Sequence, residues 1–185
     1  MNRTVRPAGD VSRRAAAPSI GFWKRTRRGH LSLAASRAAF SDLVAHVQRL
    51  PSIALYEAVE EGVPTYLIDL IARVMRLQPS RVIAMLGLSP TTLRRKALAN
   101  EPLPELVGHR IMGLLRIAVT LRRMLGQDRE PAQEATFDFE SWLGDWLLRA
   151  RPELNGRTPA HLLHNPEGLR VLEQVVERMS GGLPA

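Results

Sequence analysis

From Leu31 onward the apolar residues recur at intervals of three and four, with no run in which β-branched and polar residues alternate. That period belongs to helices packed on one side, and it predicts an all-α protein. Proline and glycine cut the pattern into segments. Ser41 caps a helix carrying Leu43, Val44, Val47 and Leu50, which Pro51 ends; Ser52 caps the next, through Ile53, Leu55, Tyr56 and Val59, as far as Gly62. Pro64 opens a helix with Leu67, Ile68, Ile71, Val74 and Met75 on one face. Pro79, in a first helical turn where its missing N–H is not needed, opens a short helix with Val82, Ile83 and Leu86 inward, ended by Gly87. Ser89-Pro90 supplies the same chemistry for a helix running to about Asn100. Pro104 begins the longest helix, whose stripe of Leu106, Ile111, Leu114, Leu115, Ala118, Leu121 and Leu125 is wide enough for a core position before Gly126 stops it.

Residues 127–136 are polar and read as a linker. Beyond them come a helix with Phe139, Trp142, Leu143, Trp146 and Leu147 on its apolar side, a loop from Pro152 to Gly156, and a short helical turn capped by Thr158-Pro159. Asn165-Pro166 then caps a final helix bearing Leu169, Leu172, Val175, Val176 and Met179, which ends at Gly181-Gly182. The expected organisation is a helical body over 31–126 and a second, smaller one over 137–185. Residues 1–30 break the pattern: Pro7, Pro18, Gly9, Gly21 and Gly29 with few large apolar groups cannot bury enough surface to offset chain entropy, and the stretch reads as a disordered basic tail.

Charge sharpens this division. The formal net charge is +8, with 24 Arg against 2 Lys. Residues 1–30 hold eight basic side chains and one acid, and 62–127 hold ten and three, whereas 128–185 hold six bases and ten acids. Two basic blocks therefore precede an acidic C-terminal part, and an anionic partner, nucleic acid first, belongs with the basic blocks. Arginine suits phosphate and guanine recognition, although genomic base composition produces the same bias. The acid-poor N-terminal stretch also has the composition of an organellar transit peptide, but it contains no apolar core of the kind a secretory signal needs. The longest apolar stretch, Ile111 to Leu121, is split by Arg116 and falls short of the ~20 residues that span a bilayer, so a soluble protein is expected.

The segment Pro79–Asn100 carries the most specific chemistry. Two short helices joined by Gly87-Leu88-Ser89 have the proportions of a helix-turn-helix. Leu88, Leu93 and Ala97 pack inward in this reading, leaving Thr91, Thr92, Arg94, Arg95 and Lys96 to face a major groove, with Ser80 and Ser89 near helix N-terminal amides as phosphate contacts. The competing reading is a solvated basic face on an ordinary bundle.

Enzymatic constellations are poor. The absence of Cys excludes disulfide scaffolds, thiolate zinc sites and cysteine nucleophiles. Of the five His only His161 and His164 share a helix face, a weak metal signature, and Glu60-Glu61 point in different directions on a helix. No Gly-rich phosphate loop, no G-x-S-x-G and no H-E-x-x-H occurs. Trp142 and Trp146 read as core before they read as a stacking platform. No catalytic residue, metal or cofactor is expected.

The run Leu86-Gly87-Leu88-Ser89-Pro90-Thr91-Thr92-Leu93-Arg94-Arg95-Lys96 and the run Leu154-Asn155-Gly156-Arg157-Thr158-Pro159-Ala160-His161-Leu162-Leu163, in that order across a long helix, resemble the two signatures of Xre/MbcA/ParS-type antitoxins. From about Gly62 to the C-terminus the chain is similar to these bacterial partners of RES-domain toxins; Asn155 stands where the family usually has glycine. The resemblance implies an Xre-like helix-turn-helix bundle followed by a small helical toxin-binding domain. It further implies a cytoplasmic homodimer that occludes a RES-type NAD-degrading toxin and, with it, represses its own operon by binding operator DNA. The residues implied in toxin binding are Asn155, Gly156, Arg157, Thr158, Pro159, Met179, Gly181 and Gly182. Rival expectations are a stand-alone helix-turn-helix repressor without a toxin partner, and an interaction module that never touches DNA.

Overall fold

A computed structural model of the chain describes residues 22–23, 32–126 and 137–181. All regular structure among the described residues is helical. In chain order the α-helices are α1 (Leu33–Arg49), α2 (Ser52–Glu60), α3 (Tyr66–Val74), α4 (Pro79–Met85), α5 (Pro90–Leu98), α6 (Glu105–Met124), α7 (Phe139–Leu148), α8 (Pro159–Leu162) and α9 (Pro166–Ser180), with a 3-10 turn at Pro152–Leu154. None of the described helices is long and apolar enough to cross a membrane.

Capping follows the chemistry of the sequence at four helix starts. Ser89, Asp138, Thr158 and Asn165 each accept a hydrogen bond from a backbone N–H in the first turn of α5, α7, α8 and α9. Pro79, Pro90, Pro159 and Pro166 occupy opening positions. The first three boundaries differ from expectation. α1 starts at Leu33, with Ser32 as its cap, and Ser41 lies inside the helix, where its Oγ accepts from Arg122 Nη1 at 2.7 Å. The Ala-rich lead-in is helix-forming but carries little apolar periodicity, so the pattern begins too late. Pro51 rather than Ser52 precedes α2, and Thr65 rather than Pro64 precedes α3.

The core centres on α6, the longest helix, whose Ile111, Leu114, Leu115, Ile117, Ala118 and Leu121 are at most 1% exposed. α1 and α9 make its most extensive packing contacts. Against α9 the fit is close: a Cβ at Gly113 would lie 2.4 Å from a methyl carbon of Leu169. One buried cluster takes in Phe40 of α1, Ile68 of α3, Leu86 behind α4, Leu143 of α7 and Leu172 of α9. Asp138 ties the C-terminal segment to the body a second time, pairing with Arg37 of α1 and, at 3.1 Å, with Arg76 behind α3.

The expected disordered tail is corrected at two positions. Phe22 and Trp23 are each 6% exposed and join the core. Trp23 Nε1–H donates to the Ala58 carbonyl, and the Tyr66 hydroxyl donates to the Trp23 carbonyl, both at 2.7 Å. The Phe22 ring meets Trp23 edge-on at 4.4 Å and His46 at 5.1 Å. Two adjacent aromatic residues bury area on the order of 300–500 Å², enough to hold this dipeptide against the core. The rest of 1–30, and the linker expected at 127–136, lie outside the described residues.

Candidate nucleic-acid and partner interfaces

The α4–α5 unit packs through α4 on α3 and is tied to α6 by a side-chain hydrogen bond. At the end of α4 the Leu88 N–H reaches back to the Ile83 carbonyl at 3.0 Å while Gly87 takes φ +59°, a Schellman-type stop. Arg110 of α6, itself 9% exposed, donates from Nη1 to the Leu86 carbonyl at 2.7 Å. A Cβ on Gly87 would stand 2.5 Å from that Nη1 and 3.7 Å from Cβ of His164. Glycine at 87 is thus required twice, by the left-handed backbone and by the guanidinium lying against it. Burial lowers the Arg110 pKa, and the α4 carbonyl end supplies the partial negative charge that receives it. The same contact places the α4–α5 turn beside the loop that opens α9.

Beyond the turn, α5 buries no residue. Ser89 Oγ accepts from Thr92 N–H at 3.1 Å, and the half-buried Leu93 packs on the core behind it. Thr91, Arg94 and Arg95 are exposed, as the sequence predicts, and so are Ser80 and Ser89. Thr92 and Lys96 are only half-exposed. Glu101 explains Lys96: its Oε2 pairs with Lys96 Nζ at 3.2 Å and with Arg95 Nη1 at 3.7 Å, folding the lysine against the helix end. Ala97, expected inward, is exposed, because α5 touches the body through Leu93 and not along its whole length. Leu98 is 79% exposed, the most exposed large apolar side chain among the described residues.

The C-terminal segment presents a different surface. Arg151 to Arg157 form a tight turn closed by Gly156 N–H to the Arg151 carbonyl at 2.9 Å and Arg151 N–H to the Arg157 carbonyl at 3.0 Å. Asn155 and Gly156 both take left-handed backbone, with φ +52° and +75°. Asparagine is the residue that tolerates this conformation best after glycine, which accounts for its place there. Asn155, Gly156 and Arg157 are exposed, whereas Pro159 is buried and Thr158 is half-buried with its Oγ1 capping His161. Met179 packs half-buried on the core, Gly181 is exposed, and Gly182 lies outside the described residues. Behind the turn, the Arg151 guanidinium lies 5.4 Å from the ring centre of the buried Trp146, which itself stacks on the half-buried Trp142. The His161 and His164 rings meet edge to face at 5.1 Å, an aromatic contact.

A feature that sequence periodicity did not reveal is a groove of about 530 Å³ between α2, α6 and α9, lined by Tyr56, Leu106, Met112 and Leu169 among others. In its wall Glu173 faces Arg116 Nη1 at 3.5 Å. Burial raises the Glu173 pKa, with Arg116 opposing. The outward sides of Tyr56 and Leu106 look like ordinary variation within an apolar stripe, so only the packing angle of three helices exposes the groove.

Residues 133–182 match the family model described as antitoxin Xre/MbcA/ParS C-terminal toxin-binding domain. A curated relative, the Prs ADP-ribosylating antitoxin of Sphingobium sp. (strain YBL2), is 31% identical over 97 residues, 52% of this chain. The chain spans about 59% of that relative's length. Over residues 133–182 the chain is thus similar to the toxin-binding domain of Xre/MbcA/ParS antitoxins, the family that the second sequence signature resembles.

Proposed function

We propose that the protein is the antitoxin of a type II toxin–antitoxin pair, which binds and occludes a RES-type NAD-degrading toxin through its C-terminal segment and represses its own operon through α5. The match of residues 133–182 to a toxin-binding domain carries the first half of the reading. Within that segment Asn155, Gly156 and Arg157 form the exposed contact and Thr158 and the buried Pro159 fix the turn behind it; Met179 and Gly181 at the end of α9 belong to the proposed contact too, and Gly182, outside the described residues, is assigned to it by the resemblance alone. The second half rests on α5, a helix with two exposed arginines and no buried residue. In a homodimer two such helices would address operator half-sites about one DNA turn, ~34 Å, apart. Ser80 and Ser89 would contact phosphate, and Thr91, Thr92, Arg94, Arg95 and Lys96 the groove.

Co-expression with the neighbouring gene product tests the pairing. The toxin co-purifies with the full chain and is inactive in the complex; a neighbour that neither binds nor harms cells without this protein overturns the reading. Truncation after Met179 relieves toxin inhibition while leaving DNA binding intact, and full protection by the truncated chain removes the chain end from the contact.

A further inference from the structure

Positions 91, 94, 95 and 98 of α5 are spaced by three, four and seven residues, so they lie on one face of the helix. Thr91, Arg94 and Arg95 on that face are exposed and polar, yet its last position is Leu98, 79% exposed. A single exposed leucine needs no explanation on an ordinary surface. This one ends the stripe that carries the arginines, and the next most exposed large apolar side chain among the described residues, Ile53 at 62%, sits on α2. Leu98 does no packing work that would account for its presence, since no α5 residue is buried.

We propose that Leu98 is a specificity-determining residue that packs on the 5-methyl group of a thymine in the operator major groove; this rests on the reading of α5 as a DNA-contacting helix. The groove floor offers an apolar group only at thymine, where the C5-methyl stands beside O4, and a branched aliphatic side chain complements it as Arg94 or Arg95 complements guanine O6 and N7. Leu98 lies one helical turn beyond Arg94 and Arg95, about 4.5–6 Å along the axis, so the thymine falls one or two base pairs from the arginine contact. A methyl contact excludes water without pairing charge. It therefore adds discrimination without adding salt dependence, unlike the arginines, each of which releases counterions where it meets a phosphate.

The test is a cycle in which protein and DNA are varied together. Full-length protein and Leu98→Ala are titrated against the DNA immediately upstream of the protein's own reading frame. Each thymine of the protected site is replaced in turn by deoxyuridine, which removes only the methyl group. At one thymine per half-site the wild type loses about fourfold in affinity, the worth of one buried methyl. L98A loses at least as much on unmodified DNA and shows no further loss at that position, with the slope of log affinity against log salt unchanged. Arg94→Ala shifts that slope and keeps the deoxyuridine effect. A deoxyuridine effect that persists in L98A, or L98A binding equal to wild type, overturns the Leu98 assignment while leaving DNA binding by α5 standing. Upstream DNA bound no more tightly than unrelated DNA by the wild type overturns the DNA reading itself. Thermal melting of L98A at the wild-type temperature shows that any loss is one of recognition.

Discussion

Arg110 spends its guanidinium on the Leu86 carbonyl, and Gly87 is the residue that leaves it room. Adding a methyl group at 87 strains the left-handed backbone and displaces the guanidinium from its acceptor. Gly87→Ala should destabilise the protein by about 1–3 kcal/mol, read as a lower urea midpoint with an unchanged slope. A second residue-scale prediction concerns Glu140 on α7, which is 8% exposed. Burial raises its pKa above 4.5, with Arg122 and Arg37 opposing. The folded state therefore holds this proton more tightly than the unfolded chain does. The resulting stabilisation is complete below the ordinary carboxyl range and is lost as pH rises through the raised value. Glu140→Gln stays neutral throughout, so its melting temperature relative to wild type should be higher at pH 7 than at pH 4; an equal difference at both would show that Glu140 does not titrate differently on folding. The Gly87 stop was legible in the sequence as a helix end, but Arg110 was not. Nothing in a one-dimensional pattern says that one arginine on a core helix points inward to a carbonyl 24 residues away.

Among the elements, α4 and α5 show where sequence reasoning stops. Both helices and both caps were predictable from Pro79, Gly87 and Ser89-Pro90, because these signals act within one turn. The direction of individual α5 side chains was only partly so. Period alone sends Ala97 inward and Lys96 outward; the structure instead leaves Ala97 exposed, since the helix packs on the core through Leu93, and holds Lys96 half-exposed, drawn back by Glu101. Arg94 has no ion-pair partner among the described residues, whereas Arg95 shares Glu101. Arg94→Ala and Arg95→Ala should both weaken operator binding, measured by titration at fixed salt, without weakening toxin inhibition. Arg94→Ala should be the costlier, because Arg95 must leave its acid partner to reach DNA. Stabilities within about 0.5 kcal/mol of wild type are expected for both, as for other exposed sites. Loss of both activities in a folded variant would contradict the separation of surfaces.

Across the whole molecule, the division into basic and acidic parts was visible in the sequence, and the physical joints between them were not. Gly113 against Leu169 brings α6 and α9 into close packing, and Asp138 pairs with Arg37 and Arg76. The N-terminal boundary was also drawn too late, since composition averaged over 30 residues hides two aromatic side chains that pack. Deleting residues 1–21 should leave the melting temperature near that of the full chain. Deleting 1–30 removes Phe22 and Trp23 and should cost several kcal/mol, in keeping with truncation of buried aromatic groups. Equal melting of the two deletions would place the edge of the folding unit at residue 31.

The absence of buried residues on α5 has a consequence for descent. A helix whose outward side chains contribute almost nothing to the energy of the folded body can exchange them without compensating changes elsewhere. After a gene duplication, the two copies can diverge at positions 91, 94, 95 and 98 and come to address different DNA while each still folds. The core helices, and the turn that Gly87 and Arg110 hold in common, allow no such freedom. Drift in target should therefore outpace drift in architecture, with the variation among descendants concentrated on one face of nine residues.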